Sequence, residues 1–251
     1  MIDAEFYTQG DGLTVGFALR GHNEIGKHGR GYNIHCAKVS ALSQAACLAI
    51  GKYLNRDVNF KDEHGGLGIE LKTAPDNLTE AVFQTMLIGL QAVEQVAPDA
   101  IRIQTFAMDA EAEAALQSKI ADMKPSPPQP LPALNVADVR IRAEIFHDAA
   151  GKVTGFSVNE RKGKTVKEFE IYRAGILSLV NAAFSCVKDY LKRDAEFDSK
   201  SRRRALKLKS APDAATEAVF QTMLIGLREI QKIAPQVINI TENFSEVKLN
   251  D

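Results

Sequence analysis

The sequence predicts an α+β fold: two homologous β-β-α-β-β-α-β domains, each an antiparallel sheet with two helices on one face, docked as a pseudo-dimer. Three observations predict it. The 251-residue chain repeats itself, "APDNLTEAVFQTMLIGL" (74–90) returning as "APDAATEAVFQTMLIGL" (211–227) with 15 of the 17 positions identical. Within each copy, short stretches alternating apolar and polar residues come in pairs around turn residues, and stretches of helical period separate the pairs. Between the copies lies "KPSPPQPLPALNVAD" (124–138), whose prolines enforce an extended, semi-rigid spacer.

Residues 2–8 and 13–20 form a hairpin around "QGDG". "GKHGRGYN" (26–33) is a glycine-rich loop. "HCAKVSALSQAACLAIGKYL" (35–54) sets Val39, Leu42, Ala46, Ala49, Ile50 and Tyr53 on one face, which makes an amphipathic helix. Residues 58–71 read as a second hairpin turning at His64-Gly65-Gly66, 78–96 as a second helix and 100–106 as a last strand. Helices divided by hairpins favour antiparallel pairing with both helices on one face; the other face is expected to be wetter. "DAEAEAALQSKIADM" (109–123) is an additional helix.

The repeat then resumes. Residues 1–17 return as 140–156 at an offset of 139, and 94–103 as 231–240 at an offset of 137, so the first copy carries two extra residues between Gly16 and Ile34. The expected boundaries are a first domain at 1–106, helix and linker at 107–138, and a second domain at 139–243.

Composition restricts the class. Apolar residues make up 45% and charged residues 25%, ordinary for a soluble globular protein. No apolar run stands out at the ~20 residues that span a bilayer, and "MIDAEFYTQG" has neither the basic nor the apolar region of a secretion signal. Three cysteines without paired spacing point to unbridged thiols in a reducing cytoplasm. The net charge of −1 hides an asymmetry: residues 1–138 hold 11 basic and 17 acidic side chains, residues 139–251 hold 20 and 15. Opposite signs favour docking of the halves, or equip the second half for an anionic partner.

The chemistry sits in "GHNEIGKHGRGYNIHCAKVS" (21–40). Cys36 opens a helix, where the positive pole lowers a thiol pKa and backbone amides can face an oxyanion. His22, ending the first hairpin, is placed to keep the thiolate ionised and to protonate a leaving amine. Two other readings stand beside this one. A cysteine is often a small buried apolar residue. His22, His28, His35 and Cys36 also cluster as zinc donors do, but their spacing matches no familiar zinc pattern.

Residues 1–103, with Gly21-His22, "GYNIHCAKVSAL" (31–42) and "QTMLIGLQAV" (84–93), resemble the ribosomal-processing cysteine protease family Prp. Residues 139–240 resemble it more weakly. The resemblance implies a cysteine endopeptidase that trims the N-terminal extension of a bacterial large-subunit ribosomal protein, with Cys36 as nucleophile and His22 as general base and acid. No dependence on a cofactor or a metal is indicated. Asn33 becomes the candidate orienting residue, and Gly21, Gly29, Gly31 and His35 the candidate substrate-binding residues. Asn33 stands where the family has aspartate, His35 where it has valine, and the loop from His22 to Cys36 is two residues longer. These departures motivate the alternative, a non-catalytic interaction protein of ribosome assembly on the same duplicated scaffold.

The second copy has Arg161 for His22 and Arg173 for Cys36, so it reads as a silent half; Cys186 falls opposite Ala49, in the core. Family members resemble homodimers joined through helices. Near identity extends to the polar positions Thr79, Glu80, Gln84 and Thr85, which suggests a surface meeting its own counterpart, as an isologous contact requires. "FDSKSRRRALKLK" (197–209) is a basic hairpin, a candidate contact to ribosomal RNA through Arg202, Arg203 and Arg204, or a solvated charge run.

Overall fold

The computed structural model describes residues 1–21, 33–63, 65–123, 139–163 and 166–245. The first half builds β1 (Ile2–Thr8), β2 (Thr14–Arg20), α1 (Ile34–Leu48) continued by a π-helical turn (Ala49–Tyr53), β3 (Val58–Glu63), β4 (Gly66–Leu71), α2 (Asn77–Val96) and β5 (Ile101–Ala107). Helix α3 (Ala110–Ala121) follows. The second half repeats the order with β6 (Ile141–His147), β7 (Val153–Glu160), α4 (Lys167–Ser185) and its π-helical turn (Cys186–Tyr190), β8 (Ala195–Lys200), β9 (Arg203–Leu208), α5 (Ala214–Ile233) and β10 (Ile238–Phe244).

Each half is an α+β unit with a five-stranded sheet, ordered β3-β4-β2-β1-β5 in the first and β10-β6-β7-β9-β8 in the second. Two hairpins supply the antiparallel pairs. The sheets are mixed, however, and not antiparallel throughout. α2 carries the chain back across the sheet, and β5 enters beside β1 in parallel, Ile2 opposite Ile101; β10 does the same beside β6.

Helices α1, α2, α4 and α5 pack on one another, and one continuous core takes in the inner faces of both sheets. The expected α1 stripe holds: Val39, Leu42, Ala46, Ala49 and Ile50 are buried, while Tyr53 at its end is 41% exposed. Residues Ile34–Tyr53, with mean hydropathy 1.2, are long and apolar enough by composition to cross a membrane, which the reading of apolar runs missed. Here that helix packs against the other three.

The outer face of the first sheet is drier than expected. α3 lays Leu116 and Ile120 on Tyr7, Val15 and Ala18 as a second small core. Lys119 at its end pairs with Glu5 on β1.

α2 and α5 do meet, and Thr85 is a hydrogen-bonding neighbour of Cys186 in the other half, but the other shared polar identities also serve their own half. Asp76 and Thr79 form a capping box at the start of α2. Buried Glu80 accepts the Thr14 amide (2.7 Å) and is held by Gln84 Nε2 (2.7 Å). Glu217 accepts the Val153 amide (2.8 Å) and is held by Gln221 (2.8 Å) in the same way. These side chains serve their own half, satisfying a backbone amide at the start of β2 or β7 that burial would otherwise leave unpaired.

Small residues let the helices of the two halves approach closely. A Cβ at Gly89 would lie 2.6 Å from Leu42 and 3.1 Å from Ala182 Cβ; a Cβ at Gly226 would lie 2.7 Å from Leu179 and 3.0 Å from Ala45 Cβ. At the repeat offset of 137 these are the same pair of contacts, made once from each half. Tyr53 is pushed up by burial and then by the charge of Glu217 across the contact, and Tyr190 by burial and then Glu80.

Candidate active site

Cys36 is the third residue of α1. Its side chain is half-buried and packs on the core. The helix starts there because Asn33, in extended conformation (φ −87°, ψ 123°), caps it: its Oδ1 accepts the His35 amide (2.8 Å) and its carbonyl accepts the Ala37 amide (3.1 Å). The first turn of α1 contains no acidic residue. The positive helix pole beside Cys36 is therefore not offset by a carboxylate of that turn, which favours a thiolate. Asn33, read from the sequence as an orienting residue, has its side-chain oxygen committed to the helix.

His35 Nδ1 is buried and has no hydrogen-bond partner among the described residues. Burial, then the positive charge of Lys38, holds its pKa below the ordinary histidine value, so the ring is neutral at pH 7. A neutral imidazole thus sits one residue before the thiol. Gly21 closes β2 at φ +96°, its N–H on Gly65 O (3.0 Å), and a Cβ there would meet Met1 O at 2.5 Å. Only glycine fits this close turn at the foot of the loop. His22, His28, Gly29 and Gly31 lie outside the described residues. The structure thus brings Asn33, His35 and Cys36 onto one helical turn and fixes Gly21 at the end of β2.

The other two thiols are core groups. Cys47 and Cys186 are 6% and 0% exposed, and no disulfide joins the three cysteines. Burial pushes Cys47 well up and Cys186 to about 11.

At the matching place in the second half an ion pair replaces thiol chemistry. Arg173 lies with its Nε 2.9 Å from Glu160 Oε1, and Nη1 reaches Glu170 (3.4 Å). Glu160 stands where the first half has Gly21, and Arg173 where it has Cys36. This Arg–Glu pair leaves no nucleophile at the position of Cys36.

One neighbour of the site was missed by the sequence reading. A Cβ at Gly175 on α4 would lie 3.2 Å from Ala41 Cβ and 3.6 Å from Ala37 O, so the second half reaches the residue next to Cys36. The signal available was a glycine at the position where the first copy has Lys38.

Comparison with known proteins finds similarity to the first half. The sequence profile of the family described as cysteine protease Prp matches residues 1–102. A ribosomal processing cysteine protease Prp from Staphylococcus aureus is 29% identical over 105 residues, covering 41% of this chain and 97% of the relative. Among solved structures, an essential ribosomal processing protease Prp from S. aureus in complex with a substrate peptide aligns at 22% identity and TM-score 0.38, over 42% of this chain and all of that one. A Streptococcus mutans protein aligns at 24% identity and TM-score 0.36, over 43% of this chain and 96% of that one. The family described as cysteine protease Prp is therefore the one that residues 1–102 of the chain are similar to.

Proposed function

We propose that the first half is a cysteine endopeptidase of the ribosomal-processing type, acting in the bacterial cytoplasm on a ribosomal protein precursor. One observation carries the reading: Cys36 opens a capped helix whose first turn holds no carboxylate, inside the stretch that matches the Prp family. In this reading the Cys36 thiolate attacks the scissile carbonyl, and His22 takes the thiol proton and delivers it to the leaving amine. The thioester is then hydrolysed, water supplying the oxygen that leaves with the new carboxylate. Neutral His35, one residue before the thiol, would be a substrate contact in this reading.

The second half is the silent partner of an internal pseudo-dimer, with domain boundaries at 1–106 and 139–243. The reciprocal contacts of Gly89 and Gly226 support this, and so does the Arg173–Glu160 pair that replaces the thiol. The function of this half would be to cover α1 and α2, whose apolar faces extend beyond what one sheet buries.

The test is incubation with a precursor ribosomal protein carrying an N-terminal extension, read by intact mass. Wild type should shorten it, and Cys36→Ala should lower the rate at least about 1,000-fold, the scale of losing a nucleophile. Uncleaved precursor with wild type, together with slow iodoacetamide labelling of Cys36 below pH 7, would establish the non-catalytic alternative instead.

A further inference from the structure

The second half has a groove beside the Glu160–Arg173 pair, lined in part by Glu160. The tip of the β8–β9 hairpin leans toward α4 and leaves a space open to solvent, with half-buried Leu177 as its apolar surface over buried Ile141 and Val158, and Asn181 on its α4 side. By the repeat offsets, Ile141, Val158 and Glu160 match Ile2, Leu19 and Gly21 of the first half.

The arginines of the hairpin tip are arranged there by neutral groups. Arg204 Nε donates to Asn181 Oδ1 (3.1 Å), and its Nη1 donates to the carbonyls of Lys200 (2.6 Å) and Arg203 (3.0 Å). No carboxylate lies within salt-bridge distance of Arg204 among the described residues. The nearby acids are already engaged: Glu160 by Arg173 at 2.9 Å, and Asp198 by Arg203 at 3.6 Å and Lys200 at 3.8 Å. Arg202 reaches the carbonyl of Arg161 (3.4 Å), which ties the hairpin to the basic segment after β7. The groove therefore presents a positioned guanidinium with uncompensated charge beside the apolar surface of Leu177.

We propose that this groove binds an extended acidic peptide segment, one carboxylate side chain against Arg204 and an apolar neighbour on Leu177. The Nε and Nη1 donors are taken by Asn181 and the two carbonyls, which hold the guanidinium and leave Nη2 to donate to a carboxylate, an attraction stronger beside apolar surface than in open water. The basic run by itself would equally suit RNA phosphates. The groove favours peptide, because none of its lining residues is an aromatic ring on which a base could stack. The site needs no chemistry at Cys36, so its failure and the failure of the protease reading are separate results.

The test is fluorescence anisotropy with the full chain and a labelled peptide alternating leucine and glutamate, against its glutamine counterpart and a labelled oligouridylate. The glutamate peptide should bind saturably, and at least about tenfold more tightly than the glutamine peptide, as expected for a charge-assisted contact. Arg204→Ala should lose about tenfold, Arg204→Lys should recover only part of it, and Cys36→Ala should change nothing. Both arginine variants are to be checked by thermal unfolding. Equal binding of the two peptides, or indifference to Arg204→Ala in a folded variant, would overturn the proposal. So would tighter binding of the oligouridylate lost on Arg204→Ala, which would make this a nucleic-acid surface.

Discussion

Three thiols in one chain show how far environment decides what a cysteine is. Cys36 stands half-buried at the positive pole of α1, while Cys186 is enclosed between α4 and α2, its sulfur 4.0 Å from Ala81 O and its hydrogen-bonding neighbour Thr85 on the other half. Burial raises the Cys186 pKa from 9.0 to about 11. A thiol raised in the folded state stays protonated there while the unfolded chain ionises, so the fold loses stability as pH climbs through that window. Between pH 9 and 11 the loss amounts to about 2–3 kcal/mol, from about 1.36 kcal/mol per pKa unit. Urea unfolding at both pH values should show that decline in the wild type and a clearly smaller one in Cys186→Ala, whatever the variant's starting stability. An identical slope would mean the thiol is not sealed in. The sequence located all three residues and placed Cys186 opposite Ala49, because a helical repeat carries position faithfully. It did not show that His35 is held neutral, since burial and the charge of Lys38 act through space.

The elements show the same division. α1 and α4 both end in a π-helical turn, and the chain leaves each through a left-handed residue, Asn55 and Lys192, each at φ 51°. Asparagine takes that conformation at little cost; lysine gains nothing local to offset its Cβ clash. Lys192→Asn should therefore stabilise the chain by roughly 0.5–1 kcal/mol, visible as a higher midpoint in denaturant with an unchanged slope. No gain would show that the Lys192 side chain has a compensating contact. Hairpins, helices and their approximate bounds were legible because strand alternation and helical period are properties of contiguous residues. The parallel entry of β5 was not, since nothing in "AIRIQTF" states on which side or in which direction it joins the sheet. Nor was the burial of the outer face by α3, which depends on where a short helix lands.

For the whole molecule, the decisive contact is the mutual approach of Gly89 and Gly226 to the opposite half. Adding a branched side chain at both positions, Gly89→Val with Gly226→Val, forces Leu42 and Leu179 out of place and pushes the helices apart. Overpacking of this kind costs about 1–3 kcal/mol per site, and a correspondingly lower thermal midpoint is expected. An unchanged midpoint would mean that the halves rest on one another too loosely for this contact to matter. Of the retained polar residues of α2, Thr85 faces Cys186 of the other half, while identity at Glu80 and Gln84 also records a constraint within each half. Here the constraint is a buried glutamate that closes its own sheet, with Gln84 or Gln221 steadying it.

By itself the sequence determined the duplication, the alternation of hairpins and helices, and the placing of Cys36 at a helix start in one copy and Arg173 in the other. These follow from residue order and local period, which the chain carries whether or not it is folded. Only the tertiary structure decided the mixed sheets, the small-residue contact that brings α4 against the residue beside Cys36, and the groove under Arg204. Each of those joins residues far apart in the chain, and close packing selects such partners by shape and depth, which no linear pattern records.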